Sequence, residues 1–421
     1  MKWVDSWPAT SMPEVGLRRL HGGVLLCLLT LVYLVTATTS VWQSFDTMSS
    51  AAGAHAMAHH GGPWVEDIDE VFFTRPGPDG HTVVDRLPMT MLPAVPAYGV
   101  HRVLGGDVAT SVLDLSYVPA AVTAALLMVL AAAGMFRLLL PEFGRERALV
   151  SAGIFALGTG AWSVAADAMW THTAAMPALV LAMLGLARGR PVVAGLGFAL
   201  AVATRPHLAV VAAAGGLAWA WQTWSRAEPS DRSERRRAVG GLVVIGVLSL
   251  AGVVFVMGWN QVTSPDGVPR LLTGIYTRRI DALEAVAGST LLDDLGNVVL
   301  LLVSPLRGLL PYTPIALVVL PGVRRAVTDA PAWLRGVAVG GVGYVVVQGL
   351  VNSYTGGDAF FGARLALEAL VVWWPLLVRA GWRAWDERPA RRSLLVAAAA
   401  ISVGLHALGA TVFHLGMGVT R

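Results

Sequence analysis

Asp46 stands first among the residues equipped for chemistry. It lies in Val41-Trp-Gln-Ser-Phe-Asp46-Thr, directly after a long apolar run. A carboxylate held there can take a proton from an acceptor hydroxyl, and general-base help of this kind is worth roughly 10²- to 10⁴-fold. The same residues also read as a helix cap, with Asp46-Thr-Met-Ser49 starting a helix that runs through Ala58. Two further groups follow. Glu66-Asp-Ile-Asp69-Glu70 supplies carboxylates and also reads as a solvated acidic turn. In Asp79-Gly-His-Thr-Val-Val-Asp85-Arg86-Leu-Pro88, Asp79-Gly80 marks a tight turn. There Arg86, beside an acid and pinned by a proline, can grip a phosphate bidentately. His55, His59 and His60 have helical spacing, which suits either a metal site or a surface amphipathic helix. No fourth ligand closes the set, and the helix is the expectation.

Farther along, ionisable groups fall at the ends of apolar runs: Asp167 and His172 around Asp-Ala-Met-Trp-Thr-His, Arg205 in Ala-Thr-Arg-Pro-His, and Arg307 in Ser304-Pro-Leu-Arg-Gly-Leu-Leu-Pro-Tyr312-Thr-Pro314. Arg364 closes Gly356-Gly-Asp-Ala-Phe-Phe-Gly-Ala-Arg364. Each also reads as an arginine or polar group snorkelling to an interface, but charges at membrane depth are expensive enough to count as functional candidates.

The elements that must position these groups are membrane helices. Of 421 residues, 55% are hydrophobic and 14% charged, with a mean hydropathy of +0.62; soluble domains carry roughly 25% charged residues. This excludes an ordinary soluble enzyme and a disordered chain alike. A run of about 18 apolar residues crosses the hydrocarbon core. By that measure the first span covers 23–41, an uncleaved anchor. Others are expected at 118–140, 148–166, 173–187, 191–204, 208–224, 239–259, 309–323, 336–351, 365–378 and 393–415. Val298 to Val303 is expected to be a re-entrant piece. The fold class is therefore an all-α polytopic membrane protein of about 11 transmembrane helices, in one integral domain over 1–421. It has a first extracytoplasmic loop at 42–107 bearing short amphipathic helices, and a second large loop at 260–297. About two-thirds of the 31 basic residues fall in the loops that lie inside if the N-terminus is cytoplasmic, as the positive-inside rule requires. The expected location is the cell membrane, with the C-terminus extracytoplasmic. Nearly every basic residue is Arg, beside abundant Ala, Val and Gly, which points to a GC-rich bacterial genome. Cys27 is the single cysteine, so no intramolecular disulfide forms.

Four stretches, in order, resemble the polytopic GT-C glycosyltransferases that use polyprenyl-phosphate sugars, a group that includes protein mannosyltransferase-like enzymes and the lipid A aminoarabinose transferase. They are Asp79-Gly-His-Thr-Val-Val-Asp85-Arg86-Leu-Pro88 with Leu92-Pro-Ala-Val-Pro96; Ala161-Trp-Ser163 through Trp170-Thr-His172; Ser304-Pro-Leu-Arg-Gly-Leu with Tyr312-Thr-Pro; and Tyr354-Thr-Gly-Gly with Phe361-Gly-Ala-Arg364. The chain departs from the family pattern at Arg86 (usually Lys), Leu87 (Pro), Ala363 (Pro) and Thr355 (often Trp).

The resemblance implies inverting transfer of a sugar from a polyprenyl-phosphate donor to a glycan, glycolipid or protein acceptor on the extracytoplasmic side, with no nucleic-acid partner. It makes Asp46 the nearest match to the family's catalytic acid, with Asp69, Glu70 and Asp85 as alternatives. Arg86, Arg307 and Arg364 would neutralise the donor phosphate, with Asp85, Asp167, His172, Arg205 and Tyr312 around the substrate. No cofactor is implied; a divalent metal is possible but not indicated. The competing expectation is a non-enzymatic protein of the same fold, either a lipid-linked sugar transporter or an envelope-assembly scaffold.

Overall fold

The computed structural model describes residues 15–40, 43–228, 230–271, 291–356 and 359–413. Thirteen α-helices occur among them: α1 (Val15–Thr36), α2 (Phe45–His60), α3 (Val95–Val103), α4 (Val118–Leu157), α5 (Thr171–Ala187), α6 (Pro191–Thr204), α7 (Ala209–Arg226), α8 (Arg232–Val262), α9 (Leu291–Val303), α10 (Pro314–Thr328), α11 (Ala332–Val351), α12 (Leu367–Glu387) and α13 (Arg392–Leu408). Among the described residues, four stretches are long and apolar enough to cross a bilayer: α4, α8, α11 and Pro389–Val412. Shorter apolar helices occur at Leu26–Thr36, Thr171–Ala187 and Pro191–Thr204. The chain is a multi-pass membrane protein.

Several expected boundaries shift. The spans expected at 118–140 and 148–166 belong to one helical run, broken at Gly144 (φ 71°, ψ 176°) just after Pro141, because neither residue supports a straight helix there. The second of them stops at Leu157, and Ala161–Ala165 forms a single π-turn. The span expected at 365–378 continues as helix to Glu387. Val298 to Val303 is the C-terminal part of the 13-residue α9, which begins at Leu291. The expected second loop at 260–297 is shortened by α8 and α9 at its edges; its residues 272–290 lie outside the described residues.

Lipid tails are as apolar as leucine, so close backbone approach has to hold such a bundle together. Small residues provide it. A Cβ on Gly197 of α6 would lie 2.4 Å from the Ala182 nitrogen of α5, and one on Gly252 of α8 would lie 2.4 Å from the Ala199 oxygen of α6. Gly336 of α11 meets Ala214 of α7 in the same way.

The first loop is a packed unit with its own core of Met48, Ala52, Met91, Tyr98, Val112 and Tyr117 over Ala120 and Ala124 of α4. A two-stranded antiparallel hairpin, β1 (Thr74–Pro76) and β2 (Thr82–Val84), pairs Thr74 with Val84 around the expected turn at Asp79-Gly80. The tyrosine hydroxyls find main-chain partners, Tyr98 to the Ser116 oxygen at 2.9 Å and Tyr117 to the Val112 oxygen at 2.8 Å.

Two expectations for α2 are corrected. Its N-cap is Ser44, not Asp46: the Ser44 Oγ accepts the Asp46 N–H at 3.3 Å. It is also not a surface helix, since Thr47 through Ala56 are buried. His55 stacks on His59 at 4.1 Å and accepts the Ala109 N–H at 3.2 Å. Burial, reinforced by the neighbouring histidines, pushes His55 down from 6.5 to about 4.

Two outcomes are expected. Gly197→Val lowers the detergent-solubilised Tm by an amount equivalent to about 1–3 kcal/mol of overpacking, whereas Gly246→Ala, with nothing within 4 Å of the added Cβ, does not. His55 stays neutral in the fold after its unfolded counterpart has protonated. Its stabilisation is therefore complete above pH 6.5 and is lost as pH falls from about 6.5 to about 4. Hydrogen exchange of the first loop should rise across that window, and His55→Gln should flatten the dependence.

Candidate functional site

Asp46 enters α2 as its second residue, where the helix dipole favours a carboxylate. Its two oxygens are shared between two arginines brought from distant parts of the chain: Oδ1 accepts from Arg86 Nη2 and Oδ2 from Arg364 Nη1, the latter at 2.6 Å. Arg86 leaves the hairpin just after β2, and the Leu87-Pro88 turn that follows directs the chain away. Arg364 ends the segment leading into α12. It reaches its place through Gly362 (φ 75°), whose Cα lies so close to the Tyr312 ring that a Cβ would come within 2.6 Å of it.

Aromatic faces fix all three guanidinium groups of the cluster. Arg86 lies 4.4 Å from the Phe73 centroid. Arg364 lies 4.6 Å from Trp170 and 4.9 Å from Phe360. Arg307 lies 4.2 Å from the other guanidinium's partner Phe360 and donates to its main-chain oxygen at 2.5 Å. Stacking occupies the flat faces and leaves N–H edges for anion binding, which suits a phosphate. Arg86 and Arg364 are 9% and 7% exposed, and Asp46 is 22% exposed, so the site is sunk yet reachable. Sequence reading named Asp46, Arg86, Arg307 and Arg364; the structure pairs the first with Arg86 and Arg364 and sets Arg307 against the Phe360 ring that also lies beside Arg364.

A second polar cluster adjoins the first. Glu368, one turn after Arg364, is fully buried and takes His172 Nδ1 at 2.9 Å, Arg205 Nε at 3.0 Å and the Tyr344 hydroxyl at 2.7 Å. Arg205 Nη2 donates to Thr171 Oγ1 at 2.5 Å, next to the Trp170 ring that carries Arg364. Gln348 extends the chain, donating to Tyr344 at 2.9 Å and meeting His207 Nε2 at 2.6 Å. His172 and Arg205 were candidates from sequence. Glu368, Tyr344, Gln348 and His207 were not, although a lone carboxylate inside an apolar run was a readable signal for Glu368.

The remaining candidates sit elsewhere. Asp85 is fully buried and faces Arg75 at 3.4 Å rather than a ligand position beside Arg86. Arg75 in turn donates to the Thr263 oxygen and hydroxyl, each at 2.6 Å, tying the hairpin to the end of α8. This makes Asp85 a counter-ion within the loop. Asp167 Oδ1 accepts both the amide and the hydroxyl of Thr38, at 3.0 and 2.9 Å, and so fastens the exit of α1. Tyr312 packs edge-on against Phe361 at 5.3 Å, and its main-chain oxygen receives His406 Nε2 at 2.8 Å. Asp69 is exposed on its bridge to Ser111, and Glu70 is exposed at φ 62°; the pairing with Arg86 and Arg364 falls to Asp46. Among the described residues no three or more potential ligands converge on a metal position, the histidines of α2 included.

No family model matches this sequence, and no curated protein matches it. Solved structures do. ArnT from Cupriavidus metallidurans bound to undecaprenyl phosphate superposes over 96% of this chain and 76% of its own, with a TM-score of 0.54 at 15% identity. The same protein in the apo state matches over 95% and 76%, with a TM-score of 0.52 at 16% identity. The chain has the polytopic helical fold of ArnT.

Proposed function

We propose that this protein is a membrane glycosyltransferase that moves a sugar from a polyprenyl-phosphate donor to an envelope acceptor, with inversion, on the extracytoplasmic side. The observation that carries this reading is Asp46 set between Arg86 and Arg364, with Arg307 one aromatic ring away. A general base and a cluster of phosphate-binding cations are the two components that such a transfer needs. The fold shared with ArnT, a structure bound to undecaprenyl phosphate, supports the donor class. The arginine-rich loops at the end of the bundle away from Asp46 support an outward-facing site.

In the reaction, Asp46 takes the proton of the acceptor hydroxyl while its oxygen attacks the anomeric carbon from the face opposite the phosphate. The bond from the anomeric carbon to the phosphate oxygen breaks, and the lipid monophosphate leaves with one more negative charge than the donor carried. Arg86, Arg364 and Arg307 oppose that growing charge in a partly dry site, where fixed donors act most strongly. Fixed guanidinium groups supply this neutralisation without a metal. The buried Glu368 cluster sets Arg205 and, through Trp170 and Thr171, the floor beneath Arg364.

With purified protein, a panel of radiolabelled polyprenyl-phosphate sugars and membrane acceptors, transfer is expected from at least one donor. Asp46→Asn should reduce it by about 10²- to 10⁴-fold while the elution profile in detergent stays that of the parent. No turnover with any donor would favour the transporter or scaffold instead. Glu368→Gln leaves Arg205 buried without its counter-ion. Breaking such a pair costs about 3–5 kcal/mol, which should appear as a marked fall in Tm; an unchanged Tm would remove the cluster's structural role.

A further inference from the structure

We infer that the Asp46 carboxylate and the donor phosphate compete for the same two guanidinium groups, and that the incoming phosphate takes Arg86 and Arg364 from Asp46, so that the base is released only when donor is bound. This rests on reading the site as a donor-phosphate site and adds a regulation that the reading does not require.

Four observations lead there. First, both oxygens of Asp46 are engaged: each carries an ion pair to a different arginine. An acceptor hydroxyl arriving in this state meets a carboxylate whose single charge is already divided between two cations. Second, the arginines do not depend on Asp46 for their position. Phe73 supports Arg86, and Trp170 and Phe360 support Arg364, so both N–H edges persist when the carboxylate turns away. Third, the exchange is balanced. A sugar-phosphate-lipid diester carries one negative charge, as Asp46 does, and phosphate and carboxylate oxygens suit the same guanidinium edge. Fourth, the carboxylate leaves a donor over. Arg86 Nε is buried with no hydrogen-bond partner, on a side chain more than nine-tenths buried. Buried donors are seldom left unsatisfied without a reason. A phosphate presents more acceptor oxygens than a carboxylate and can take this one as well.

Release needs only a side-chain rotation. Asp46 sits in the first turn of α2, where the helix is anchored by the Ser44 cap through the Asp46 main-chain N–H, not its carboxylate, and it is the most exposed member of the trio. The consequence is an order of events: donor first, then a competent base. Once the lipid monophosphate departs, Asp46 closes the arginines again.

The test is the binding of undecaprenyl phosphate, without sugar, to the full-length protein in detergent. An internal competitor lowers apparent affinity by the fraction of time it occupies the site. Asp46→Asn and Asp46→Ala should therefore bind undecaprenyl phosphate about tenfold more tightly than the parent, even as transfer is lost. If the variants are less stable alone because two cations have lost their counter-ion, undecaprenyl phosphate should raise their Tm by more than it raises that of the parent.

Equal affinity in parent and variants, with no larger gain in Tm, overturns the inference and leaves Asp46 as a plain base. Weaker binding in the variants overturns it too, because Asp46 would then be arranging the arginines for phosphate. Absence of binding to any of the three proteins removes the donor reading and this inference together, whereas parent binding with unchanged variants removes the inference alone.

Discussion

The carboxylate of Asp46 between two guanidinium groups is the constraint on which the rest of the site depends. It joins the first loop at Asp46, the end of the hairpin at Arg86 and the entrance to α12 at Arg364. Like charges brought together in a poorly hydrated place repel strongly, and an anion between Arg86 and Arg364 offsets that repulsion. The aromatic rings beneath them position the cations. Everything that sets these three residues, from the Ser44 cap to the left-handed turn at Gly362, serves that meeting.

A similar balance recurs deeper in the bundle at Glu368. Burying an ion pair costs desolvation energy that its mutual attraction offsets only with good geometry and further hydrogen bonds. Glu368 has them, from His172, Arg205 and Tyr344. The two clusters adjoin through the turn that leads from Arg364 into the start of α12 at Glu368 and through the Trp170-Thr171 step. The structure thus sets two adjoining charge clusters side by side, each arginine in them flanked by a carboxylate or an aromatic face.

Much of this was legible in the sequence, for identifiable reasons. Apolar runs of sufficient length announced the membrane helices, and Asp79-Gly80 announced a tight turn, though not the two strands that flank it. Asp46, Arg86, Arg307 and Arg364 stood out because charges at the edges of apolar segments are costly to keep. What local reading could not supply was partnership. Asp85 and Arg86 are adjacent in sequence, but successive side chains of an extended segment point to opposite sides; Asp85 turns to Arg75 and Arg86 to Asp46. Ser44 takes the capping role assigned to Asp46, whose carboxylate is paired with the two arginines. Glu368 was passed over inside its apolar run, since its three partners come from α5, α11 and the turn after α6. The boundaries moved where Pro141 and Gly144 broke one run and where the polar end of α12 stayed helical to Glu387.

The pair between Arg364 and Asp46 closes over 318 residues of sequence. During synthesis, then, the first loop emerges with Asp46 and Arg86 long before the segment that completes the trio has been made. Until the chain has threaded nearly all of its helices into the bilayer, the half-built pocket lacks both its second cation and the Phe360 ring that carries Arg307. Biogenesis itself therefore withholds the pocket: a nascent or stalled chain cannot assemble it, and only a chain whose late helices have docked against its early ones possesses it.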